Sequence, residues 1–200
     1  FEAHRCNDRD LVCAILTDVS LSTDAWVENR RVLDVEKEAL MVLAHGLSGC
    51  GDTYAISTFT SRRRESVRIE TIKDFQQPLG AAVERRIAAL RPGAYTRIGA
   101  ALRHATGQVA KRGERHRLIL LLTDGKPNDM DHYEGRYGVE DTRMAVREAR
   151  QRGICVFAIT IDRKAGDYVP YIFGPGGYAI VGHVARLPAA LPLLYRHLTR

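Results

Sequence analysis

The sequence predicts a doubly wound α/β fold: a mostly parallel central sheet with one antiparallel edge strand and helices on both faces. Three observations carry this. The runs 11–17 (LVCAILT), 117–122 (RLILLL) and 154–161 (ICVFAITI) are almost wholly apolar, as strands covered on both faces of a parallel sheet are. Between them, apolar residues recur at helical spacing, at Val32, Val35, Ala39, Val42 and Leu43 and again at Ile98, Ala101, Leu102, Ala105 and Val109. A single segment, 67–72 (VRIETI), alternates apolar and polar residues, which suits a half-buried edge strand.

The remaining elements follow in order. Ser48-Gly49-Cys50-Gly51-Asp52 breaks the first helix before a second strand at 53–60. Val83, Ile87 and Leu90 mark a helix, as does the stretch from about 140 to 151. A short last strand at 178–181 precedes a C-terminal helix carrying Leu187, Leu191, Leu194 and Leu198. Pro192 has no N–H to give that helix and sits awkwardly in it unless the helix begins late. There are no internal repeats or low-complexity tracts.

With 200 residues, 45% of them hydrophobic, the chain can bury one good core, and residues 11–200 read as a single domain. Residues 1–10, opening at Phe1 without an apolar leader, read as a linker from a longer parent protein. No run reaches the ~20 apolar residues of a membrane span, so membrane insertion is not expected. Cys6, Cys13, Cys50 and Cys155 show neither CxxC spacing nor a histidine at zinc-site intervals. Cys13 and Cys155 fall inside predicted strands as small buried hydrophobes, a usage that suits a reducing cytoplasm. The net charge of +6 gathers at Arg62, Arg63, Arg64 and Arg68, in a predicted hairpin. With 7% aromatics and no nucleic-acid motif, this reads as a solvated face able to steer an acidic partner.

Function concentrates in three stretches of oxygen-bearing side chains: Asp18-Val19-Ser20-Leu21-Ser22, Thr96 before the helix at 98–109, and Thr123-Asp124-Gly125. Asp18 and Asp124 end neighbouring strands on the carboxyl side of the sheet, where open α/β sheets place their ligand crevice. Mg²⁺ wants roughly six oxygens and accepts one or two carboxylates with neutral oxygens and waters. Mn²⁺ and Ca²⁺ suit the same donors. Singly, Ser20, Ser22 and Thr96 fit helix caps and Asp124-Gly125 fits a turn; together, at strand ends, they predict a hard-cation site. An ion held by only two carboxylates stays electrophilic and can accept a carboxylate from outside.

A long polar loop at 126–139 follows Asp124, with Asp129, Asp131, His132, Tyr133, Glu134, Arg136 and Tyr137 in it. It reads either as a solvated connection whose tyrosines cover the sheet end or as a recognition rim around the metal.

The DxSxS, Thr and Asp pattern resembles the metal-ion-dependent adhesion site of von Willebrand factor A domains, and the order of strands and helices agrees from about residue 11 onward. The resemblance implies that Asp18, Ser20, Ser22, Thr96 and Asp124 hold Mg²⁺ without catalysis. A narrower likeness lies in 122–150, Ile161-Asp162-Arg163-Lys164 and Tyr171-Ile172-Phe173-Gly174, which resemble the C-terminal domains of CbbO and NorD proteins. That likeness implies a cytoplasmic bacterial adaptor. It would bring a client to a hexameric MoxR-type AAA+ ATPase through an exposed Asp or Glu: Rubisco in the CbbO branch, slightly favoured, or nitric oxide reductase in the NorD branch. The rival of another class is an Mg-dependent aspartyl phosphatase or phosphotransferase. Haloacid-dehalogenase enzymes show DxDx(T/V) there, and Ser20 stands where their second aspartate would act as general acid.

Overall fold

The computed structural model describes residues 10–27, 29–162 and 164–199. The predicted linker up to residue 9, Cys6 and Arg163 lie outside the described residues.

In chain order the elements are β1 (Leu11–Asp18), the short hairpin β2 (Trp26–Val27) and β3 (Arg30–Arg31), α1 (Val32–Cys50), β4 (Thr53–Ser61) and β5 (Val67–Lys73). Next come α2 (Ala81–Ala88), α3 (Ile98–Val109), β6 (His116–Thr123), α4 (Gly135–Gln151), β7 (Cys155–Thr160), α5 (Val169–Phe173), β8 (Tyr178–Ile180) and α6 (Leu187–Leu198). The main sheet has the order β5-β4-β1-β6-β7-β8. All its pairs are parallel except β4 with β5, the predicted antiparallel edge.

Strand alternation divides β1 between two cores. Leu11, Cys13 and Ile15 pack with α1, α2 and α6 on one face, and Val12, Ala14 and Leu16 pack with α3, α4 and α5 on the other. Burial on both faces is why these strands are apolar throughout. The register sets Thr17 opposite Leu122 and Asp18 opposite Phe59, so the polar ends of β1 and β6 emerge together. Gly99 lets α3 and α4 approach closely, because a side chain there would collide with the Asp141 carboxylate.

Four expectations need correction. Helix α4 opens at Gly135 and not near residue 140, because Gly138, Val139 and Thr142 form its buried stripe despite the polar residues around them. Val42, assigned to the apolar face of α1, is 46% exposed, and Glu36 is buried on that helix instead. Cys155 opens β7 at an exposed position, unlike buried Cys13. Helix α6 does not begin late: it runs through Pro192, with Leu187, Leu191 and Tyr195 buried. That packing offsets the hydrogen bond Pro192 cannot make. Among the described residues no helix is long and apolar enough to cross a membrane.

Candidate metal centre

Beyond β1 the chain turns on itself around Asp18. The Ser20 N–H donates to Asp18 Oδ1 at 2.8 Å, and Thr23 donates through its N–H and its Oγ1 to the Ser20 carbonyl. The carboxylate that would bind a cation thus also shapes the turn that presents Ser20 and Ser22. This turn is stitched to its neighbour: Leu21 N–H bonds the Ala94 carbonyl at 2.8 Å, and Gly93 N–H bonds the Val19 carbonyl. Thr96 and Asn128 exchange backbone hydrogen bonds at 2.9 and 3.1 Å, which joins the Thr96 segment to the loop after β6. Backbone bonds therefore fix three sequence-distant loops against one another.

Their side chains converge. Thr96 Oγ1 donates to Asp18 Oδ1 at 3.3 Å, Ser20 Oγ and Ser22 Oγ lie 2.9 Å apart, and Ser22 Oγ donates to Asp124 Oδ1 at 2.8 Å. All five residues expected from the sequence meet in one cluster. Thr123 joins them, donating its hydroxyl to Asp18 Oδ2 at 3.0 Å. Asp18, Ser20 and Thr96 are buried, while Ser22 is exposed and Asp124 half-buried. The cluster opens into a cleft of ≈ 490 Å³ lined by Ser20, Ser22, Tyr95, Thr96, Lys126 and Asn128 among others.

The electrostatics are those of acids without a counter-charge. Burial, reinforced by the nearby Asp124, pushes the Asp18 carboxyl up to about 7. Asp124 is also raised, by burial first and repulsion from Asp162 after it. Behind them Glu36 lies fully buried on α1 with Oε2 unbonded, raised well above the ordinary range by burial and then by Asp124 and Asp18. Among the described residues none of the three forms an ion pair with Lys or Arg. Nor, among the described residues, is any group of three or more His, Cys, Asp and Glu side chains arranged to hold a metal. The donor set is two carboxylates and three hydroxyls, all hard oxygens, which suits Mg²⁺, Mn²⁺ or Ca²⁺.

The loop after Asp124 divides into two kinds of residue. Asp129 is buried and accepts bonds from Ser61 Oγ, the Arg63 N–H, the Met130 N–H and Arg97 Nε, each at 2.7–2.8 Å. Asp131 pairs with the other arm of Arg97 and accepts the Arg64 N–H. Tyr133 is buried under the Arg97 guanidinium, 4.2 Å from its ring centre. Asp129 and Tyr133 are therefore scaffold and not the rim they were expected to join. Their bonds consume the polarity that made them look exposed. Of the other expected rim residues, Glu134 lines the cleft beside Ser20, Ser22 and Thr96, His132 and Tyr137 line a neighbouring cleft with Arg63 and Arg64, and Arg136 is exposed.

Sequence reasoning named Thr123 in its stretch without giving it a role, and missed Glu36 and Arg97. Thr123 had a signal, since it ends β6 beside Asp18. Glu36 had one too, a carboxylate four residues after Val32 on the buried stripe of α1. Arg97 had none, because its partners lie 32 and 34 residues away.

The von Willebrand factor type A domain model matches residues 14–171. The chain is 62% identical over 189 residues to Protein NorD of Brucella melitensis, covering 94% of this chain and 30% of that protein. It is 53% identical over 182 residues to Protein NorD of Stutzerimonas stutzeri, covering 90% of this chain and 30% of that protein. It thus spans about a third of the length of these relatives. A solved structure of manganese-loaded TRAP protein from Plasmodium vivax superposes with TM-score 0.64 at 16% identity, over 93% of this chain and 74% of that one. Proximal thread matrix protein 1 of the mussel byssus, solved with its adhesion-site motif occupied by zinc, gives 0.66 at 18%, over 91% and 46%. At such identities these likenesses speak for the fold. With the family model spanning most of the sheet, the chain belongs to the von Willebrand factor type A domain family.

Proposed function

We propose that the chain is a non-catalytic docking module in which Asp18, Ser20, Ser22, Thr96 and Asp124 hold a divalent cation, Mg²⁺ foremost, that takes up a carboxylate of a client protein. The observation that carries this reading is a pair of acids that, among the described residues, have no cationic partner, bonded to three hydroxyl residues that line an open cleft. When bound, the ion supplies an electrophile for an external oxygen. The protein's own part is to fix the donors: Thr123 and the Ser20 N–H orient Asp18, and Ser22 bridges Ser20 to Asp124.

The aspartyl-phosphate alternative fits less well. Asp18 is buried, and Ser20 stands where those enzymes carry the second aspartate, so a nucleophilic Asp18 would have no general acid two residues on. Similarity to proteins named NorD along nearly the whole chain weights the client toward nitric oxide reductase rather than Rubisco. Coupling to a MoxR-type ATPase ring would then run through the rest of the parent protein, in the bacterial cytoplasm.

The test is a pull-down of purified nitric oxide reductase and of Rubisco with Mg²⁺ or EDTA, using the wild type and Asp18→Ala. Retention of one client that both EDTA and the substitution abolish supports the reading and picks the client. Retention indifferent to both places recognition elsewhere on the surface.

A further inference from the structure

Resting on that docking reading, we infer that the partner is read at two points: a carboxylate at the metal and a bulky apolar side chain beside it, seated against Trp26.

Trp26 is the chain's single tryptophan and is 71% exposed, on a hairpin projecting beside the metal centre. The hairpin is firmly held. Trp26 pairs with Arg31 across β2 and β3, Val32 N–H bonds the Ala25 carbonyl at 3.0 Å, and Arg31 and Arg30 form ion pairs with Asp24 and Glu38. Asn29, at φ 61°, supplies the left-handed residue of its turn. An indole held in water on a fixed support covers none of the chain's own core.

What lies next to it indicates the occupant. A cleft of ≈ 630 Å³ has Trp26, Val27, Ile161 and Val184 in its walls and shares Ser22 and Asp124 with the metal centre. Ser22 also lines the cleft above the ion site, where Leu21 is 63% exposed. The two clefts meet at Ser22, which lines both, and the apolar shelf of Trp26, Val27, Ile161 and Val184 lies in the same cleft as Asp124, with Asp162 and Lys164 also in its walls. A partner carboxylate is complementary to a cation held by two acids, and the shelf is complementary to an apolar side chain within about three residues of it, ~10 Å of extended chain. Trp is enriched among residues that dominate protein interfaces. The occupant is therefore a segment of a partner protein carrying Asp or Glu with a Leu, Ile, Met or Phe close by in sequence.

A random dodecapeptide library displayed on phage, selected on the full chain in Mg²⁺ and again in EDTA, tests this, with Mg²⁺ binding measured separately by calorimetry. The expected result is enrichment only in Mg²⁺ of sequences pairing an acid with a nearby bulky apolar residue. A synthetic consensus peptide should bind Trp26→Ala at least tenfold more weakly, bind Trp26→Phe nearly as the wild type, and shift Trp26 emission to the blue. Enriched acidic peptides without apolar bias, binding unaffected by Trp26→Ala, or no enrichment on a chain that does bind Mg²⁺ would overturn the inference while leaving the metal centre standing. Failure to bind Mg²⁺ would remove the docking reading itself.

Discussion

Two acidic clusters occupy the same end of the sheet and behave in opposite ways. Asp129 and Asp131 sit in a loop yet meet Arg97. Against burial that would raise it, the N–H of Arg63, the Ser61 hydroxyl, the Met130 N–H and Arg97 hold the Asp129 carboxyl below its ordinary value. Asp18 and Asp124 meet hydroxyls, backbone N–H groups and other acids, and among the described residues neither pairs with Lys or Arg; both are raised. The residue type is the same, and the differences are the heavier desolvation of Asp18 and Asp124 and the fuller set of donors around Asp129, two backbone N–H groups and a hydroxyl with Arg97 behind them. Where the chain provides its own cation the pair is structure; where it provides none, the missing charge has to be a proton or an ion. Arg97 directly follows Thr96, so a single dipeptide serves both clusters, Thr96 bonding Asp18 and Arg97 bonding Asp129 and Asp131.

This contrast is most severely tested at Arg97. Arg97→Ala leaves Asp129 buried without its counter-charge, which should destabilise the chain by ~3–5 kcal/mol in urea denaturation. Asp124→Asn should be close to neutral in the same assay, because it removes a charge with no cationic partner among the described residues and keeps an amide oxygen able to accept from Ser22. An equal loss for both would mean that the two clusters are alike.

The next effect is on the ion. Asp124→Ala should weaken Mg²⁺ binding by about 100-fold or more, ~2.7 kcal/mol, in calorimetry with the circular dichroism spectrum unchanged. Wild-type affinity in that variant would show that Asp124 merely caps a turn.

The buried Glu36 sharpens the comparison from behind. It carries an unbonded oxygen against the two raised aspartates, so Glu36→Gln should stabilise the metal-free chain by ~1–3 kcal/mol at neutral pH. A lower thermal midpoint would instead reveal a native interaction of its carboxylate.

How far the sequence reveals all this depends on how local the cause is. The parallel sheet was legible because burial on both faces leaves unbroken apolar runs, and the meeting of Asp18, Ser20, Ser22, Thr96 and Asp124 because they sit at strand and helix ends whose neighbours follow from the fold class. The hairpin carrying Trp26 was not legible, since two-residue strands have no period to detect. The split of the loop after Asp124 was hidden for another reason. Asp129 and Tyr133 look like solvent-facing polar residues until Arg97 and the β4–β5 turn are brought against them, and only tertiary structure does that. The start of α4 was obscured because Gly135, Arg136 and Tyr137 are poor evidence for a helix, whereas the buried Gly138, Val139 and Thr142 fix it.

Proton linkage gives a smaller and more continuous readout. Between the ordinary aspartate range and about 7, folded Asp18 keeps a proton that the unfolded chain has released. The native state then binds more protons, so stability of the metal-free chain should fall as pH rises across that window, by at most ~1.4 kcal/mol per pH unit for this group, and level off above about 7. Mg²⁺ requires the ionised form, so its affinity should rise over the same window and level off in the same place. Opposite slopes in EDTA and in saturating Mg²⁺, followed by thermal denaturation, are the expected signature; parallel slopes would separate the titrating group from the ion site.

The smallest effect belongs to Thr123, which orients Asp18 without being among the five donors. Thr123→Val is nearly the same shape and deletes the 3.0 Å bond to Asp18 Oδ2, leaving that oxygen less restrained. Loss of such an orienting partner should lower Mg²⁺ affinity by about tenfold at pH 8, where Asp18 is ionised in both proteins. It should also push the Asp18 carboxyl higher still, since a hydrogen bond to the charged form has been removed. The affinity deficit should therefore widen as pH falls from 8 to 6. A deficit that stays constant with pH would mean that Thr123 acts on the position of Asp124, its neighbour in sequence, and not on the charge of Asp18.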